Sequence, residues 1–163
     1  MESELEKINI AKNAVSLIIR SKSMLRLYEK LNCIFTAEEK EACLPLVRRL
    51  IEINNESHRY SLLSMEDDFY NMNEEKDFFL KTAMICLLDF AGNGVEKDME
   101  LLEDILSTLI IADGSTGAEL LSRLVIMQGI ISIGSGEHSR LLCYRLLSML
   151  GSQYLKNAKD YTE

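Results

Sequence analysis

Residues 117–133 read GAELLSRLVIMQGIISI, and apolar side chains fall on every side of a 3.6-residue helix through this stretch. Leu120, Leu121, Leu124, Val125, Ile126, Met127, Ile130, Ile131 and Ile133 leave no continuous polar face. A helix of this kind is stable only when other elements surround it. The rest of the chain must therefore supply amphipathic helices to wrap it. Gly129 sits in its middle, at roughly 1 kcal/mol against alanine, which points to a neighbour that approaches the backbone closely. Thr116-Gly117-Ala118-Glu119 has the spacing of a capping box and opens the helix. Gly134-Ser135-Gly136 ends it.

The remaining sequence offers helices for that role. The chain has 163 residues with a single proline, which favours helix throughout. Its length suits one domain over 1–163, able to hide about 70% of its unfolded surface. Residues 3–20 read as a first helix, broken near Ser21-Lys22-Ser23 and followed by a second piece from Met24. Thr36-Ala37-Glu38-Glu39 forms a capping box. Pro45 then predicts a short turn followed by a helix over 46–54. Residues 61–65 allow a short helix, and 65–73 read as a polar connection. Beyond this, Asn73 caps a helix to Ala91, with further helices over 95–112, 117–133 and 137–156. Ser135 is the expected cap of the last helix, and 157–163 reads as a tail. The expected fold is all-α: a compact bundle, or a short two-repeat stack of helical hairpins, around one apolar helix. Residues 1–72 would act as a cap on two hairpins over 73–156.

The hairpin reading comes from an internal repeat. KTAMICLLDFAGNG (81–94) aligns with RLVIMQGIISIGSG (123–136), and LLEDILSTL (101–109) aligns with the leucine spacing of 141–150. A repeat near 40 residues is typical of stacked helix pairs. Over about residues 76–151 the chain resembles HEAT and armadillo-type repeats. That resemblance implies a structural protein that scaffolds or grips other proteins. The wrapped apolar helix is also the architecture of the Bcl-2-like interaction fold, although none of that family's motifs occurs here.

Charge is unevenly distributed. Residues 1–59 carry 10 Lys and Arg against 9 Asp and Glu, whereas 60–163 carry 8 against 17. Residues 95–112 place Glu96, Glu100, Glu103 and Asp104 within about 100° of helix surface, with Leu102, Ile105, Leu106 and Leu109 facing the other way. Such an acidic face suits a partner with a basic surface and opposes a phosphate backbone. Phe69, Tyr70, Phe78 and Phe79 lie near it in sequence and offer apolar anchors, with core packing expected for at least two. The converse patch is Lys22, Arg26 and Lys30, at spacing four, together with Arg48 and Arg49. It carries the alternative of an RNA- or ribosome-associated factor.

Chemistry is sparse. Cys33, Cys43, Cys86 and Cys143 are dispersed in apolar stretches, without the clustering that zinc requires, and read as buried free thiols. Ser135 and His138 read as helix-start residues, and His58 as a solvated side chain in a connection. Glu66-Asp67-Asp68 lacks the spacing of a calcium loop, and no phosphate-cradling loop follows a strand. The acidic start, MESELEKINI, has neither the basic residues nor the apolar run of a leader or a membrane span. The expectation is therefore a cytoplasmic, non-enzymatic adaptor, inhibitor or complex subunit, with no cofactor or metal and no membrane, that binds another protein. A carboxylate-based enzyme is the remaining alternative.

Overall fold

The computed structural model describes residues 35–92 and 98–162, with the backbone alone for 74–77. The expected helices over 3–20 and from Met24, the stripe of Lys22, Arg26 and Lys30, Cys33, and Glu96 lie outside the described residues. Those described contain eight α-helices and no strand. They are α1 (Ala37–Ala42), α2 (Leu44–Tyr60), α3 (Glu66–Tyr70), α4 (Glu74–Gly92), α5 (Met99–Asp113), α6 (Gly117–Gly134), α7 (Ser139–Leu150) and α8 (Ser152–Leu155). Short 3-10 turns at Leu63–Met65 and Ala158–Tyr161 complete the described chain.

Helix α6 is the axis of the bundle. It packs against α1, α2, α4, α5 and α7, and twelve of its residues are buried. Leu124 has no exposed surface. Where α2 crosses α6, a β-carbon placed on Gly129 would lie 2.8 Å from Leu50 Cδ1, so only glycine admits this approach. Gly134 is equally crowded, by Leu87 of α4 and Met99 of α5. By length and composition α6 is also the one described helix able to cross a bilayer, but 67% of it is buried inside the bundle. Its apolar surface faces other helices of the same chain.

Several local expectations need correction. The division expected at Pro45 is present, with α1 ending at Ala42 and Pro45 in the first turn of α2, where a missing N–H costs nothing, but α2 runs on past the expected end at Asn54 to Tyr60. The connection expected over 65–73 contains α3 instead. Its first turn carries Glu66, Asp67 and Asp68, favourable at a helix N-terminus, and Phe69 is fully buried. The capping box at Thr36 and Glu39 forms as expected, with both reciprocal bonds present. That at Thr116 does not: its side chain caps nothing, and Glu119 bonds Arg123 at 2.7 Å. The last helix stops at Leu150 because Gly151, at φ 126°, turns the chain before α8. Residues 158–161 are packed in place, with Ala158 buried, where a tail was expected.

The two aligned segments occupy unequal positions. Lys81–Gly92 belongs to an outer helix and Arg123–Gly134 to the central one. Their basic residues differ accordingly. Lys81 reaches the Met72 carbonyl. Arg123 bonds Asp113 and Glu119 and lies 5.1 Å from the centre of the Phe79 ring, tying α4, α5 and α6 together. Helix α7 packs chiefly on α2, α6 and α8, and α5 chiefly on α6 and α4. The arrangement is a bundle around one helix.

Candidate functional surfaces

Helix α5 exposes two of the four acids expected on one face, Glu100 and Asp104, with an unexpected apolar companion. Asp98 opens the helix, its side chain accepting from Leu101 N at 3.0 Å. Leu102, Leu106 and Ile110 are buried against the core and Leu109 is half-buried. Glu100 and Asp104 are exposed one turn apart, and Glu103 is half-buried toward the core side. Ile105 does not face inward as expected. It remains 41% exposed, Leu101 47% and Ile111 46%. On a helix, residues four apart form ridges. Glu100 and Asp104 make one ridge, Leu101 and Ile105 the ridge beside it, and Ile111 lies two turns beyond Asp104. The aromatic residues divide evenly: Phe69 and Phe79 are buried, whereas Tyr70 and Phe78 are exposed.

The second surface escaped the sequence reading. A cleft of about 990 Å³ opens where the C-terminal end of α2, the start of α7 and the C-terminal 3-10 turn meet. From α2 come Asn55, His58 and Arg59; from the start of α7, His138, Ser139 and Arg140; from the C-terminal segment, Lys159 and Thr162. His58 is exposed as expected, but it belongs to helix α2 and to the cleft wall instead of a connection. Its Nε2 lies 3.1 Å from the Glu137 carbonyl, which can only accept, so that nitrogen carries the proton. His138, and not Ser135, caps α7: its Nδ1 accepts from Arg140 N at 3.2 Å. Ser135 instead donates to the Ile131 carbonyl.

Buried polar contacts hold this cleft in shape. Asn54, fully buried in α2, donates from Nδ2 to the Glu137 carbonyl at 3.0 Å and to Ser139 Oγ at 2.9 Å. Ser139 Oγ in turn donates to Asn55 Oδ1. The Glu137 carboxylate is taken by Arg145 through two bonds of 2.9 and 3.1 Å, and this pairing lowers its pKa below the ordinary 4.5. On the far rim, Arg48 lies 4.2 Å from the centre of the Tyr161 ring, and Cys143 Sγ contacts the Ala158 carbonyl. These contacts fasten the turn that carries Lys159. Arg48 therefore has a packing role, and Arg49 faces Glu52 at 3.8 Å.

Reactive groups are scarce among the described residues. Burial pushes the thiols of Cys43, Cys86 and Cys143 upward, away from the thiolate that nucleophilic attack requires. No three His, Cys, Asp or Glu side chains come together as a metal site among the described residues. Comparison with protein-family models, with curated proteins and with solved structures finds no match to this chain.

Proposed function

We propose that this protein is a non-enzymatic interaction module that docks a basic-surfaced partner protein on the outer face of α5. The observation that carries the reading is the pair of adjoining ridges, Leu101 with Ile105 and Glu100 with Asp104, exposed on the outer face of a helix whose inner face is buried. Removing apolar surface from water is worth about 25 cal/mol per Å², so Leu101 and Ile105 are the residues able to hold a partner. The acids beside them steer and orient it. The field extends well beyond α5, since residues 60–163 carry a net charge of −9, from 8 bases and 17 acids. An adaptor, an antagonist of a basic protein and a subunit of a larger complex all fit this surface.

A photo-crosslinking amino acid at position 108, one turn beyond Asp104 on the same ridge, tests the reading in cells that make the full chain. The proposal expects one discrete cross-linked protein with a basic surface. That product should vanish when Glu100 and Asp104 are changed to Lys, and should be missing when the crosslinker sits at Tyr60. Products that are identical from both positions would overturn the proposal.

A further inference from the structure

The cleft between α2, α7 and the C-terminal turn is basic in a chain whose net charge is −8. Arg59, Arg140 and Lys159 line it together with His58 and His138, and no carboxylate does among the described residues. None of these three cations forms an ion pair with a described carboxylate. Arg59 and Arg140 instead lie over the rings of Tyr60 and Tyr144, at 5.9 and 6.0 Å. Three cations lining one cleft, with no described carboxylate among its walls, are poised for an anion from outside. The twelve-residue helix α7 begins at this wall, adding the positive end of its dipole. His138 accepts through Nδ1, which leaves its Nε2–H as a donor. The wall is preformed, because Asn54 and His58 both hold the Glu137 carbonyl, so little ordering would accompany binding.

We infer that this cleft binds a small phosphorylated molecule, with its phosphate held among Arg59, Arg140 and Lys159. A dianionic phosphate matches a cleft lined by three cations better than a single carboxylate does. At about 990 Å³ the cleft has room for a ligand of nucleotide size. The inference is independent of the α5 face and involves none of its residues.

The test is a titration of the full-length isotope-labelled protein with inorganic phosphate, pyrophosphate and AMP, at constant ionic strength with chloride as control. Saturable amide shifts at Arg59, Ser139, Arg140 and Lys159 are expected, tighter for pyrophosphate than for phosphate. Arg59→Ala, Arg140→Ala and Lys159→Ala should each weaken pyrophosphate binding about tenfold. All three are exposed, so melting without ligand should not change. Absence of saturable shifts, or binding that survives the triple variant, would overturn the site. A single-stranded RNA binding the cleft more tightly than pyrophosphate or AMP would overturn the small-ligand assignment.

Discussion

Helices α5 and α6 lie side by side and are almost equally apolar: nine of 15 residues in the first and ten of 18 in the second are Ala, Val, Ile, Leu or Met. Their fates differ. Twelve residues of α6 are buried, against Leu102, Leu106, Ser107 and Ile110 of α5. The cause is position in the bundle. Helix α6 has five helices around it, whereas α5 packs chiefly on α6 and α4 and leaves its outer face open. Apolar content beyond what an outer helix can bury has no role within this core. In α5 that surplus sits beside acids, which is the combination an interface uses.

The contrast can be broken most forcefully at the centre. Leu124→Asp would bury an unpaired charge, costing on the order of 5 kcal/mol or more, so the circular-dichroism signal of a folded domain should be lost. A soluble, normally melting variant would mean that α6 is not the axis. Gly129→Leu comes next. Its side chain would drive into Leu50, which is itself fully buried and has no room to retreat, at about 1–3 kcal/mol, measurable by denaturant unfolding.

These central features were legible in the sequence because they are local: all-round apolarity, a mid-helix glycine and glycine-marked helix ends lie within one short stretch. The capping box at Thr36 and Glu39 was legible for the same reason. An identical spacing at Thr116 misled, because Arg123, one turn on from Glu119, draws its carboxylate away from the cap. Ile105 misled differently. It lies at the edge of the apolar arc, and only the width of the neighbouring helices decides which edge residues are covered. The cleft was beyond reach altogether. Its residues come from positions 55–59, 138–140 and 159–162, and only the crossing of α2 with α7 brings them together. The single local hint was His138 ahead of a helix, where histidine is an uncommon cap.

A smaller effect separates the cleft wall from both helices. The Arg145-bonded carboxylate of Glu137 titrates below its ordinary 4.5, so the pair stabilises the fold above that pH. The contribution disappears as pH falls through the lowered value. Wild type should therefore exceed Glu137→Gln in melting temperature at neutral pH, and the gap should close in acid. A gap independent of pH would show that the charge on Glu137 does not contribute.

The smallest expected effect bears on the central claim, that the outer face of α5 is exposed for a partner and not for its own fold. Leu101→Ser combined with Ile105→Ser should leave stability within about 0.5 kcal/mol of wild type. The decisive measurement is the denaturant midpoint of this double variant, taken alongside the yield of its cross-link from position 108. An unchanged midpoint with the cross-linked partner lost is the predicted result. A midpoint lowered by the equivalent of several kcal/mol of stability, or a partner retained in full, would contradict the account.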